Sequence, residues 1–150
     1  MKILYNRTYF FDEGIFFECE QCGACCTGDP GAVYVNKDNL ANIARFLSME
    51  IVVLSKRHFY PFKNGFSIKE YPDGSCHFYN NGCKIYPVRP LQCRLFPFWF
   101  NNLRSRKQWF RVVKQCPGIG NGVFYSKEKI LEIVQLSMKE IIKSNLNGDF

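Results

Sequence analysis

Eight cysteines set the chemistry open to this chain, and four of them, Cys19, Cys22, Cys25 and Cys26, fall within eight residues. A two-residue spacer lets two thiolates meet one metal, because the intervening loop can turn its backbone amides toward the sulfurs. Cys19, Cys22 and Cys25 repeat that spacer twice. Cys26 is the informative departure. Adjacent residues start about 3.8 Å apart, and in extended chain their side chains point opposite ways. Neighbouring cysteines therefore serve two sites, or one site and a nearby thiol, more comfortably than one site. The other four, Cys76, Cys83, Cys93 and Cys116, are too far apart in sequence to form a site by local geometry, so the fold must gather them.

Four local and four distant thiols suit one or two four-thiolate centres. Zinc and a 4Fe–4S cluster both accept four thiolates. Structural zinc sites usually join two separated Cys-x-x-Cys pairs, and no second pair is present here, so an iron–sulfur cluster is preferred and zinc is the alternative. Cys116-Pro117 matches the Cys-Pro that closes the bacterial ferredoxin run. The Cys-x3-Cys-x2-Cys spacing of radical S-adenosylmethionine enzymes is absent, since Asp29 stands where the third cysteine would be. Distant thiols held only through an inorganic centre imply that losing the metal unfolds much of the domain.

Several companions of the cysteines are candidates for supporting roles. Arg89 and Arg94 bracket Cys93 and are placed to donate hydrogen bonds to cluster sulfurs or to hold an anion; an ordinary ion pair is the plainer alternative. His77 adjoins Cys76 as a reserve ligand, whereas His58 ends a helix and is expected at the surface. Phe96, Phe98, Trp99 and Phe100 are expected to pack over the centre or into the core. Arg104, Arg106, Lys107, Arg111 and Lys114, interleaved with Trp109 and Phe110, fit RNA phosphates and bases, or simply a solvated strand face. No Ser–His–Asp order, helical His-Glu-x-x-His or phosphate loop is found, so whether the chain is an enzyme stays open.

Taken together, Cys19, Cys22, Gly23, Cys25 and Cys26, then Cys76-x-Phe78, Cys83-x-Ile85-Tyr86, Arg89-Pro90, Cys93-Arg94, Phe96-Pro97 and Cys116-Pro117-Gly118 with Gly120, carry a resemblance. Over about Phe17 to Gly122 the sequence resembles the CxxCxxCC family of zinc- or iron-chelating proteins. The resemblance implies metal or iron–sulfur binding through these cysteines. Relatives in that family include the flagellin lysine N-methylases, in which a similar cysteine module accompanies methyl transfer from S-adenosylmethionine. A part in a protein lysine N-methylase system is thus a further implied role, although no glycine-rich nucleotide loop is found.

The elements that must position these residues follow from caps and periodicity. Residues 2–17 suggest one or two strands and 33–35 a short one. A helix is predicted over 37–47, with Asn36 as N-cap and Leu40, Ile43, Ala44 and Leu47 on one face. Ser48 is predicted to cap a second helix, 51–58. A hairpin is expected from 66–71 and 75–79 around Pro72-Asp73-Gly74. Cys83–Phe100 is interrupted by proline and holds a short helix, and 108–113 is predicted as a strand. A C-terminal helix over 126–144, capped by Ser126, buries Ile130, Val134, Met138 and Ile141, with Leu131 and Ile142 widening the stripe. Strands and helices do not alternate regularly, which makes the fold class α+β, a single domain spanning 1–150 around its metal centre.

At 150 residues with 47% hydrophobic content, the chain can bury a real core. The N-terminus lacks the apolar core and cleavage site of a signal peptide, and no apolar run reaches the roughly 18 residues of a membrane span. A cytoplasmic location without membrane association is the expectation, where thiols serve metal or redox chemistry before disulfides. The formal charge of +7 overstates the basic excess. Two four-thiolate centres at about −2 each would bring it to about +3. A protein partner is open, and RNA is the less favoured partner.

Overall fold

The first helix, α1 (Lys37–Leu47), starts where Asn36 turns extended and its side chain accepts the Asn39 N–H at 2.8 Å. Leu40, Ile43 and Ala44 form its buried face, as the i, i+3, i+4 spacing requires. Ser48 ends this helix in a left-handed conformation (φ 55°), with Met49 N–H bonded to the Ala44 carbonyl at 2.9 Å. Ser48 is therefore not the cap of α2 (Ile51–His58), whose N-cap is Glu50 without a side-chain bond. A left-handed stop and a new N-cap cannot share one residue, because they need different backbone angles.

This computed structural model describes residues 6–23 and 33–146, with side chains described as far as Lys139. The chain divides into two compact units, the first made of residues 1–22 and 95–139 and the second of residues 23–94 and 140–150. Both mix short antiparallel strands with helices, which is the α+β class expected.

In the second unit, β3 (Phe59–Phe62) and β4 (Gly65–Ile68) form a hairpin through Lys63-Asn64, and β2 (Tyr34–Val35) pairs on the other side of β4. The strand 65–68 thus pairs with 59–62 and not with 75–79. The Pro72-Asp73-Gly74 turn does form, closed by Gly74 N–H to the Tyr71 carbonyl at 2.8 Å. The expected pairing across it is kept in part: Tyr71 N–H donates to the Ser75 carbonyl at 2.8 Å, His77 N–H to the Lys69 carbonyl at 3.1 Å, and Glu70 bridges Cys76. Val35, Leu40, Ile43, Leu54, Phe59, Ile68, Phe78 and Ile85 form the core of this unit. After a 3-10 turn at Tyr86–Val88, the short helix α3 (Leu91–Leu95) carries Cys93.

The first unit is built on β1 (Ile15–Phe17) and β5 (Val123–Tyr125), paired antiparallel with Phe16 opposite Phe124. Behind them lie α4 (Phe100–Leu103), α5 (Arg106–Gln115) and residues 127–139 of α6 (Lys127–Leu146). Residues 108–113, predicted as a strand, lie inside α5. Trp, Phe and Val are strand formers, but Ser105 accepts the Gln108 N–H at 3.1 Å, and the resulting helix buries Trp109 and Val112 three residues apart. Trp109 stacks on Phe98 (centroids 6.2 Å, planes 12° apart), and both join Phe11, Phe17, Leu103, Ile130, Leu131 and Val134 in the core. Ser126 caps α6 as predicted, accepting the Lys129 N–H at 3.2 Å. Met138, assigned by periodicity to the buried stripe, is 39% exposed instead, and the side chains of Ile141 and Ile142 lie outside the described residues.

The helical reading of α5 makes opposite demands on adjacent residues. Trp109→Ala should cost about 3–5 kcal/mol in urea unfolding. Phe110→Ala, at an exposed position, should stay within about 0.5 kcal/mol. Equal losses would return the segment to a strand with both rings half-buried.

Candidate metal centre

Three cysteines belong to the first unit, and backbone pairing brings the outermost two to one place. Beyond β1 the pairing continues: Phe17 bridges Ile119, the Glu18 N–H donates to the Gly118 carbonyl at 3.1 Å, and the Gly120 N–H donates to the Phe16 carbonyl at 2.7 Å. The chain leading into Cys19 therefore runs beside the chain leaving Cys116. Gly118 is required at this approach, since a Cβ there would drive into the Glu18 carbonyl oxygen. Gln21, next to Cys22, turns the loop through a left-handed conformation (φ 53°). Cys116 caps α5, its N–H bonded to the Val112 carbonyl at 2.9 Å, and its side chain is only 7% exposed within the core.

Electrostatics couples these thiols. Burial pushes the Cys116 pKa up, and Cys22 and Cys19 add to the rise because a second negative charge nearby disfavours the thiolate. The backbone N–H groups of Gly118 and Ile119 oppose that rise by hydrogen bonding to the sulfur. Cys19 accepts the Gln21 N–H at 3.4 Å in the same i+2 manner. Donors aimed at sulfur stabilise a thiolate, and a cation would relieve the mutual repulsion of the three.

The second unit holds Cys76, Cys83 and Cys93, all half-buried. Cys76 accepts the Phe78 N–H at 3.5 Å, again at i+2, while the Tyr79 N–H donates to the Cys76 carbonyl and Tyr79 bridges Cys83. Cys76 and Cys83 both pack against the core of this unit. Gly23 crosses the ring of Tyr79, with φ +82° and no room for a Cβ. Cys25 and Cys26 lie outside the described residues. None of the six described cysteines is in a disulfide. Among the described residues, no group of three or more His, Cys, Asp or Glu side chains is set to hold a metal ion.

The companions divide. Arg89 donates from Nε to the Tyr86 carbonyl at 3.0 Å and lays its guanidinium 3.7 Å from the Tyr86 ring centroid, while Arg94 is exposed on α3. Neither makes an ion pair among the described residues. His58, expected at the surface, is half-buried: its Nδ1 lies 3.2 Å from Nδ1 of His77, and its ring packs on Phe78. Periodicity could not show this, because the partner lies 19 residues away across the β-hairpin. Burial holds both imidazoles below the ordinary histidine pKa, with His77 and Arg57 adding to the effect on His58 and Lys69 on both. Phe98 enters the core and Phe96 packs against it, as expected, whereas Phe100 is 49% exposed. Gly118, present in the motif, had no role legible from spacing; its tight approach to Glu18 joins the two ends of the cysteine pattern.

Cys19 and Cys76 on their short loops accept backbone amides at sulfur, and Cys116 is buried at a helix end, which is the pattern of a cysteine-rich domain. The chain belongs to the CxxCxxCC family, described as "putative zinc- or iron-chelating domain", whose model matches residues 18–117. It is 39% identical over 152 aligned positions to an uncharacterized protein of Methanocaldococcus jannaschii, covering 92% of this chain and 79% of that one. No solved structure matches. Among the described residues, no helix is long and apolar enough to cross a membrane.

Alkylation of the reduced, metal-free chain should rank the thiols of the first unit. Exposed Cys22 should react first, and Cys116 at least roughly tenfold more slowly, as its burial and raised pKa require. Gly118→Ala, by forcing the two strands apart, should erase most of that difference. Matching rates in the parent chain would remove Cys116 from the core.

Proposed function

We propose that this chain binds metal through its cysteines, with a 4Fe–4S cluster as the preferred centre, serving structure, electron transfer or redox sensing. What supports the reading is the backbone pairing that runs the chain entering Cys19 beside the chain leaving Cys116, with backbone amides donating to both sulfurs. Cys76, Cys83 and Cys93 are the proposed ligands in the second unit, where Cys76 repeats the same amide–sulfur bond. Cys25 and Cys26 join the set by their spacing from Cys22.

The donor chemistry fits the group. Thiolates satisfy both zinc and iron–sulfur centres, and amide N–H bonds to sulfur tune cluster potential and ligand basicity. A bound cluster would supply one-electron chemistry. The chain's own part is to donate amide hydrogen bonds to the sulfurs from Gln21, Phe78, Gly118 and Ile119 and to screen Cys116 from water with Phe17, Phe98 and Trp109. Arg89, seated on Tyr86, stiffens the loop ahead of Cys93; Arg94 supplies positive charge beside it. Zinc is the alternative, and the family description names it beside iron.

Anaerobic purification should give a brown protein with the broad visible absorption of an iron–sulfur chromophore and matching iron and sulfide. A colourless protein with stoichiometric zinc would replace iron by zinc, and one that takes up neither would sink metal binding altogether. Cys19→Ser, Cys22→Ser and Cys116→Ser should each lose metal.

Metal removal bears on what holds the fold. The expectation of broad unfolding rested on distant cysteines being tied only through the metal, but β1–β5 pairing and two apolar cores also tie them. Chelation should therefore lower the thermal midpoint and leave most helical circular dichroism in place. Loss of all helicity would show that the centre, and not the cores, sustains the fold.

A further inference from the structure

The helix that places Cys116 has a second, outward face that the metal reading leaves unused. From Gly74 through Lys127, both included, the sequence has nine lysines and arginines and no aspartate or glutamate. Five of the nine, Arg104, Arg106, Lys107, Arg111 and Lys114, lie on α5 or just before it, and all five are exposed. None makes an ion pair among the described residues. With Trp109 and Val112 turned inward, Lys107, Phe110, Arg111 and Lys114 follow i, i+3, i+4, i+7 and share one outward stripe. Phe110, at the centre of these cations, is 56% exposed.

Such a stripe is unusual for a merely solvated face. Charged residues alone would keep a helix soluble, and a ring left in water amid cations gives up burial that a core position would have supplied. Cations that follow a phosphate backbone and a ring on which a base can stack are the two parts of a single-strand reader. A duplex keeps its bases stacked inside and offers nothing to Phe110. We propose that the outward face of α5 binds single-stranded nucleic acid, with Lys107, Arg111 and Lys114 on phosphates, Arg106 at the margin, and Phe110 stacked on a base. The helix, about 15 Å long, suits a short stretch of strand. This corrects the basic aromatic segment as the sequence alone presents it: Phe110 and not Trp109 is the stacking ring. The proposal does not rest on which metal the cysteines hold.

The test is fluorescence anisotropy of a labelled oligouridine with the full, metal-loaded chain across a salt series. Binding should weaken with salt at a slope of about −2 to −3 in log K against log salt, as three or four phosphate contacts on a single strand give. Phe110→Ala should weaken it about fivefold to a hundredfold, and Phe110→Trp should restore it. Lys107→Ala with Arg111→Ala should flatten the salt slope, while Lys37→Ala, an exposed cation in the other unit, should change nothing. An oligothymidine arm tells whether the ligand is RNA alone or either single strand. The proposal is overturned if no oligonucleotide binds, or if Phe110→Ala binds like the parent. Tighter capture of polyglutamate or of phosphatidylserine vesicles would overturn it too, assigning the face to an acidic protein or to a membrane.

Discussion

The close approach of the Glu18 and Gly118 backbones is the constraint from which the first unit follows. Cys19 and Cys116 stand at opposite ends of the cysteine pattern, and closing a loop of that length costs on the order of 4 kcal/mol in chain entropy. Two three-residue strands would not cover that cost alone, since isolated short pairs are marginal in water. The aromatic layer beneath them supplies the rest: Phe17 meets Phe98 edge-on at 5.8 Å, and Phe98 in turn contacts Tyr125 at 4.8 Å and Trp109 at 6.2 Å. Burying such rings stabilises by several kcal/mol, so the pairing is held from below. A side chain at position 118 would separate the strands where the chain entering Cys19 passes the chain leaving Cys116.

Sulfur in this molecule is treated alike in both units. At Cys19, Cys76 and Cys116 the amide two residues on donates to the sulfur, although the three lie on a loop, a turn and a helix end. A buried neutral thiol gains little from such a donor, whereas a thiolate gains much, because charge-assisted bonds are about twice as strong as neutral ones. The repeated geometry would suit sulfur bound as thiolate to a metal. At Cys116 the burial and the neighbouring thiols push against that charge, and the amides alone do not cancel them. A bound cation would complete the balance.

What the sequence made legible was what depends on short-range pattern. Helices α1 and α6 carry a polar cap three residues ahead of a bonded amide and a regular apolar stripe, and both form at or near the expected residues. Helix α5 was hidden by its own composition, for Trp109, Phe110, Val112 and Val113 are strand formers in isolation. Ser105 followed by Gln108 is a capping-box pattern, and Trp109 with Val112 and Cys116 keeps helical spacing, so tertiary burial overrode local propensity. The hairpin formed only in part: residues 69–71 pair with 75–77 across Pro72-Asp73-Gly74, while 65–68 has both edges taken by 34–35 and 59–62. As for the site, the cysteines were plain from spacing, but their partition was not. Which thiols share a unit depends on a non-local register between β1 and β5, three residues long on each side, that no periodicity announces.

One ten-residue helix joins the two surfaces that matter. Its inward face, Trp109 and Val112, fixes α5 against the core, and its last carbonyl contacts set Cys116 at the helix end. Its outward face is free of that duty, since Lys107, Phe110, Arg111 and Lys114 are exposed. A helix rigid enough to hold a buried thiol in place is also rigid enough to hold cations and a ring at fixed spacing. That pre-organisation lowers the ordering cost of any ligand on the outer face. The core packing that serves the sulfur would thereby serve the surface as well, with no change of shape between the two.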